Sequence, residues 1–416
     1  MLNILLLSFA LLALLSIVFE EVVHINKAKT TLFLGCLSWL LLFMTAGSAE
    51  GQQRVNEHLD DNLLEIAGLW LFLMSTMTFV AYLNAKGMIQ VLVHGIFPAQ
   101  LSQRLLMVLV ALFALLLSAI CDNVTATLVS LGLVQSYQLE KSVRIKLAAL
   151  VVFAVNSGGV ALITGDVTTL MIFLDGHVSM GQLGMLLIPS ASGVVALALM
   201  FSSGMPGRVA NEPINANFTG VDVAIACIFF ATILLTMVFN LAFGIPPVLT
   251  FLSGLSVMFL VGRLASTDDD QNRILEYIRQ IEFDTLLFFL GILLLVGMLR
   301  EIHVLTAVAQ LYGEINPAIA NFLAGATSAL LDNVPLTSAL LKAGPQLAVP
   351  DWLGLTYAVG VGGSLLSIGS AAGIITMSKM EGMTFKAYLQ FFPALLVAYS
   401  VGYGLTLVMS YHFFTP

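Results

Sequence analysis

The chain has 416 residues, 59% of them hydrophobic and only 10% charged, with a formal net charge of −8. A soluble domain carries about 25% charged residues, so this composition cannot cover a water-facing surface. It excludes a soluble enzyme, a disordered chain and, lacking any basic footprint, a nucleic-acid binder.

Apolar runs of membrane-spanning length recur from end to end, which predicts an all-α polytopic membrane protein embedded in a lipid bilayer. In chain order the crossings fall near 2–19, 31–46, 63–85, 146–175, 181–201, 220–243, 247–264, 282–300, 352–379 and 387–411. The first lacks a basic start and is followed by Glu20-Glu21, so it reads as a span and not as a cleavable leader. Segment 47–62, with Glu50, Glu57, Asp60 and Asp61 against Arg54, reads as an outer loop. Segment 87–103 is apolar but short and contains Pro98; it reads as a helix lying in the interface. Two further apolar stretches, 105–140 and 317–342, are each interrupted at the middle by Asp-Asn. Cys36, Cys121 and Cys227 stand singly in apolar segments, which gives neither a disulfide frame nor a zinc site.

Lys and Arg set the orientation. Lys27, Lys29, Lys86, Arg104, Lys141, Arg144 and Lys146 fall on one side in the crossing count. Arg208, Arg263, Arg273, Arg279, Lys379 and Lys386 fall on the same side, which is therefore cytoplasmic. Both termini are then placed outside. Arg300 and Lys342 are the exceptions. Stretch 105–140 is basic at both ends, so it enters and leaves on one side as a re-entrant hairpin; 317–342 is its counterpart.

The chain repeats itself. SAICDNVTAT (118–127) matches SALLDNVPLT (328–337), and AVNSGGVALITG (154–165) matches AVGVGGSLLSIG (358–369). The division is 1–62 (N-terminal spans and outer loop), 63–201 (repeat one), 202–281 (linking spans) and 282–416 (repeat two). Each repeat has a hairpin and an interrupted helix, near 146–175 and 352–379. An odd number of crossings separates the repeats, so they face opposite ways, the inverted plan of secondary transporters.

A carboxylate at the centre of a lone membrane helix costs about 2.5–3.5 kcal/mol. Asp122, Asp166 and Asp332 all sit at such depth, so each needs a partner or water. Their neighbours bear oxygen: Asn123, Thr125, Asn156, Thr168 and Thr169, then Asn333 and Thr337. Ser364, Ser367 and Ser370 recur at a spacing of three, which would line one helix face. Gly158-Gly159 and Gly362-Gly363 let the chain leave helical geometry and free carbonyls for a hard cation. Pro335 is expected to end the first arm of the second hairpin. The bland alternatives are close packing for a Gly-Gly pair and an i−4 carbonyl bond for a Ser or Thr. A structural role for three buried acids would need a buried cation, for which only the distant Arg300 and Lys342 are candidates. Acids, not bases, at the breaks select a cation over a dicarboxylate or phosphate. A group that binds either a proton or a metal ion, never both, is the minimum for cation/proton exchange.

SAICDNVTATLV, NSGGVALITGDVTTLMI, LLFFLGILLLVG, SALLDNVPLTSAL and VGGSLLSIGSAAG resemble NhaD-type sodium/proton antiporters, of the superfamily that also holds arsenite and dicarboxylate carriers. The resemblance implies a homodimeric exchanger of Na⁺ or Li⁺ for H⁺ in a bacterial inner membrane, with no cofactor beyond the transported ions. By motif, Asp122, Asn123, Asn156, Asp166, Thr168 and Thr169 match functional positions of the first repeat, and Ser328, Asp332, Asn333, Ser367 and Ser370 those of the second. His58, Glu65 and His177 resemble positions tied to pH response. Na⁺ is expected at Asp122, Asp166 and Asp332, leaning toward repeat one because Asp166 has Ser370 as its counterpart. The competing readings are an anion, arsenite or dicarboxylate carrier, an intramembrane protease and a channel.

Overall fold

The computed structural model describes residues 2–18, 26–88, 100–203, 207–210, 219–265, 283–304, 310, 312, 314–330 and 333–414. The chain is an all-α polytopic membrane protein. Seven helices among the described residues are long and apolar enough to cross a bilayer. Large apolar side chains such as Met44, Leu64, Leu234 and Val408 face outward, where lipid and not water would meet them.

Helices α1 (Leu2–Val18), α2 (Lys27–Thr45) and α3 (Ala49–Ala85) open the chain. The acid-rich segment expected as a loop is instead helical: α3 begins at Ala49 and runs through it. Its polar turns are stitched by i,i+4 bonds, Gln53 to Glu57 and Asn56 to Asp60, both 2.9 Å. Val55 and Asn62 give this extension a buried side. Residues 89–99, most of the expected interfacial helix, lie outside the described residues. Beyond them the backbone is extended, and Gln100–Ser102 pairs antiparallel with Arg208–Ala210.

Next come α4 (Gln103–Ile120), α5 (Asn123–Ser136), α6 (Lys141–Gly159), α7 (Val167–Leu174), α8 (Met180–Met185) and α9 (Leu187–Ser202). Helices α10 (Gly220–Phe243) and α11 (Pro247–Ala265) come after these. The last group is α12 (Phe283–Glu301), α13 (Pro317–Ser328), α14 (Asn333–Ala343), α15 (Val349–Gly362), α16 (Ala371–Lys379), α17 (Phe385–Leu389) and α18 (Phe392–Phe414).

Helices α4 and α6 lie side by side with their C-terminal ends together. Thr164 donates to the Ala119 carbonyl at 2.9 Å, and a Cβ on Gly158 would stand 2.0 Å from the Leu115 oxygen. Since α5 ends just before α6 begins, 103–136 is a hairpin with both ends at one end of the bundle. The glycine contact recurs between α13 and α15, which a different hydrogen bond also joins. A Cβ on Gly362 would stand 2.2 Å from the Gly325 oxygen, and Ser328 donates to the Val359 carbonyl at 2.7 Å. Close packing is thus a real use of Gly158 and Gly362, and both helices also break just beyond them.

The two broken helices run in opposite directions. Past α7, His177 stacks on Trp352 in the first turn of α15, with ring centroids 3.7 Å apart. At the other end Gln135 donates to the Lys379 carbonyl at 3.0 Å, joining the ends of α5 and α16. Where they cross, Val160 leaves no room for a Cβ on Gly360, the nearest contact being 2.3 Å.

Helix α12 is clamped by donors from α2 and α3. Trp39 bonds the Leu294 carbonyl at 2.9 Å, Trp70 that of Leu286 at 2.8 Å, and Asn62 that of Leu293 at 3.3 Å. This fixes α12, against which α14 of the second hairpin packs.

Candidate functional site

Three of the breaks end, among the described residues, where a side chain caps the next half-helix. Asp122 accepts from the Thr125 N–H at 2.9 Å, Asp166 from that of Thr168 at 3.0 Å, and Ser370 from that of Gly373 at 3.4 Å. The caps satisfy N–H groups that would otherwise be orphaned, and the positive ends of α5 and α7 offset part of the cost of burying carboxylates. The places an anionic substrate would take at these helix ends are filled by the chain's own acids.

Asp166 is the centre of the arrangement. It is 5% exposed. Its Oδ2 accepts from Asn123 Nδ2 at 2.8 Å and from Asn333 Nδ2 at 3.0 Å, one amide from each hairpin tip. Asn123 is oriented in turn by Ser118, whose hydroxyl donates to its Oδ1 at 2.8 Å. Gly159 makes this approach feasible, since a Cβ there would lie 2.7 Å from Asn123 Oδ1. From the crossing helix, Ser370 Oγ accepts from Asn156 Nδ2 at 3.1 Å. Two fully buried oxygens next to this network, Asn156 Oδ1 and Thr168 Oγ1, have no hydrogen-bond partner among the described residues. Buried acceptors left unpaired are rare in native proteins, and oxygen is the donor type a hard cation takes.

A cavity of about 160 Å³ adjoins Asp166 and is lined also by Asp122, Asn123, Asn333 and Ser370. It extends to exposed Asp284 in the first turn of α12, whose carboxylate accepts from Asn26 Nδ2 at 2.7 Å. Leu73 and Met77 of α3 and Phe288 and Phe289 of α12 add apolar lining. No Lys, Arg or His lines it among the described residues.

The remaining predicted residues take several different places. Thr125 holds Asp122, hydroxyl to Oδ2 at 2.9 Å. Thr169 donates to the Gly159 carbonyl at 3.3 Å, and Thr337 to that of Asn333, its i−4 neighbour, at 2.8 Å. Ser364, Ser367 and Ser370 do not share a helix face; they sit in the break between α15 and α16. Ser364 is turned to the Val361 carbonyl and Ser367 to the Met377 sulfur, so only Ser370 reaches the cavity. The glycines at 362, 363 and 369 unwind the chain there, and a helical spacing has no meaning in an unwound segment. Pro335 lies in the first turn of α14, not at the end of the preceding arm, because a missing N–H costs nothing at a helix start. Asp332 lies outside the described residues, as does the side chain of Glu65. Arg300 and Lys342 do not line the Asp166 cavity. They line a second cavity with His58, Asp61, Glu301 and His303, where His58 pairs with Glu301. His177 contacts Asp175 at 2.8 Å beside the Trp352 stack, away from the cavity.

Sequence patterns do not single out Ser118, Asn26 or Asp284. Ser118 nevertheless stands at the same place in its motif as Ser328, and that equivalence is the signal that could have found it. Asp284 is an acid at the edge of an apolar run. Asn26 carries no signal of its own.

The fold and the buried Asp166 network define a polytopic helical membrane protein with a polar centre. A family model described as "Citrate transporter" matches residues 11–360. The chain belongs to that family and is an NhaD-type transporter. The Na(+)/H(+) antiporter NhaD of Vibrio cholerae is 31% identical over 96% of this chain and 90% of its own length. That of Vibrio parahaemolyticus is 30% identical over 90% of this chain and 98% of its own. The sodium/proton antiporter 2 of Arabidopsis thaliana is 29% identical over 89% and 91%.

Proposed function

We infer that the chain is a secondary antiporter exchanging Na⁺, and also Li⁺, for H⁺, with Asp166 as the exchanging carboxylate. The observation that carries this is Asp166 held by Asn123 and Asn333, with unpaired buried oxygens on Asn156 and Thr168 close by. A proton on Asp166 removes the charge of the carboxylate that would hold a metal ion; without the proton, that carboxylate and neighbouring oxygens replace water around one. Asp122 and Asp332 supply further charge. The ions are cargo, and the exchange needs no cofactor.

The two hairpin-and-broken-helix units, 63–201 and 282–416, are read as inverted repeats. The recurrence of the Gly158 contact at Gly362 and the opposed directions of the broken helices support this. By the distribution of Lys and Arg, the Asp284 end faces the cytoplasm of a bacterial inner membrane and both termini lie outside it. A homodimer is part of the reading through the resemblance. His58, Glu65 and His177 are assigned to pH response on the same ground.

The family model's description makes citrate the rival substrate. A tricarboxylate calls for Arg or Lys at its site, and the described lining here carries acids. Everted vesicles test the choice. Na⁺ and Li⁺, but not choline, should release protons into a trapped pH dye. Citrate accumulation with no Na⁺-driven proton movement would overturn the assignment.

A further inference from the structure

Bases from three helices gather at one end of the bundle, and the chemistry at Asp166 uses none of them. Lys141 and Arg144 lie in the first turn of α6, Lys379 ends α16, and Lys386 lies in α17. A Cβ on Gly382, in the turn between α16 and α17, would stand 2.4 Å from Lys141 Cε and 3.1 Å from its Nζ, so the Lys141 ammonium overhangs that turn. Arg144 faces Glu381 of the same turn at 3.9 Å, longer than a hydrogen bond. The Glu381 side chain is 87% exposed, so it offsets little of the charge. Glu140, exposed at the N-cap of α6, is the other acid of these segments. Arg144 Nε has no hydrogen-bond partner among the described residues, and Lys141, Lys379 and Lys386 are exposed.

This end of the bundle meets the surface of the bilayer. Helix α6 enters the apolar interior from it. Phe385 and Leu389 of α17, each 42% exposed, share one side of that short helix, while Tyr388 is buried. Bases beside exposed apolar side chains at a membrane face complement an anionic headgroup with its acyl chains alongside.

We propose that the turn between α16 and α17, with Lys141 and Arg144 across from it, binds the phosphodiester headgroup of an anionic phospholipid, whose acyl chains lie along Phe385 and Leu389. A zwitterionic lipid fits less well, because its own cation meets the same bases. The bound phosphate ties the start of α6 to the end of α16. Gln135, which donates to the Lys379 carbonyl at 3.0 Å, brings in the end of α5. Binding there needs only the bilayer and stands apart from the exchange reading.

The probe is phosphatidylglycerol, with zwitterionic phosphatidylcholine as its rival. The full chain is reconstituted in vesicles of equal parts of the two, extracted in mild detergent, and the retained lipid is quantified by mass spectrometry. Phosphatidylglycerol should be retained over phosphatidylcholine by about tenfold or more at low salt, and the preference should fade near 1 M salt. Lys141→Gln and Lys379→Gln should each lower the ratio about fivefold. Both side chains are exposed, so folding should survive. Lys146→Gln, about 200° round α6 from Arg144, should leave the ratio unchanged and controls for charge in general. Phosphatidylglycerol should raise the melting temperature of the parent in detergent but not that of the double variant, and inorganic phosphate should not replace it. Equal retention of the two lipids, an equal loss in Lys146→Gln, or stabilisation by inorganic phosphate as large as by phosphatidylglycerol would overturn the proposal.

Discussion

Asn333 donates its amide to Asp166 Oδ2 at 3.0 Å across 167 positions of the chain. The bond joins the second hairpin to the break of the first broken helix, and with Asn123 it gives one carboxylate oxygen two amide donors. Both donors hold that oxygen in position at the break.

Asp166→Asn should therefore reduce Na⁺-driven proton movement to background at unchanged membrane level. The amide keeps the shape and one acceptor for Asn123 or Asn333, so folding survives, but it cannot cycle a proton. Dye dequenching in everted vesicles is the measurement. Asp122→Asn should also be severe. Near-normal exchange in either would remove that acid from the site.

Asn333→Ala should weaken apparent Na⁺ affinity. A hydrogen bond to a charged group contributes about 1.5–3 kcal/mol, roughly ten- to a hundredfold. Asn123→Ala should act similarly. Because both donate to the same oxygen, the double variant should deviate from additivity, which a double-mutant cycle on half-maximal Na⁺ concentrations would read.

Thr168→Val tests the orphaned hydroxyl. The group is fully buried and unpaired among the described residues, so its removal should leave the melting temperature without Na⁺ equal or higher. Apparent Na⁺ affinity should nevertheless fall, and by more than in Ser370→Ala. A larger loss in Ser370→Ala would move the ion toward the crossing helix.

Proton and Na⁺ exclude each other at Asp166, so the protonated form does not bind Na⁺. Apparent Na⁺ affinity should rise with pH by about tenfold per unit for one exchanged proton, then level off. His58→Ala, which breaks the pair with Glu301 in the second cavity, should move the pH midpoint and keep that slope. An affinity independent of pH would contradict a shared carboxylate.

Gly362→Ala should destabilise the protein, since its Cβ would lie 2.2 Å from the Gly325 carbonyl oxygen. Overpacking of this kind costs about 1–3 kcal/mol. Gly132→Ala, within α5 and with nothing inside 4 Å of the new Cβ, should be neutral or gain about 0.5–1 kcal/mol. Melting curves in detergent compare the two.

By itself the sequence determined the class, the spans and the breaks. Low charge over 416 residues leaves only the bilayer as solvent, and an acid or a Gly-Gly pair inside an apolar run marks where a helix cannot continue as a plain span. Local pattern misleads where local order is assumed. The spacing of Ser364, Ser367 and Ser370 predicts a helix face where the chain is in fact unwound, and the acids of 47–62 predict a loop where i,i+4 pairs make a helix. Tertiary structure alone decided which groups meet. Asp166, Asn123 and Asn333 come together because two hairpin tips are held at one depth by glycine contacts between distant helices, and Asp284 joins the cavity because tryptophans of α2 and α3 clamp α12 beside it. Periodicity and composition report what each segment buries. They do not report the rotation and depth at which two segments pack, and a hydrogen bond of about 3 Å depends on both.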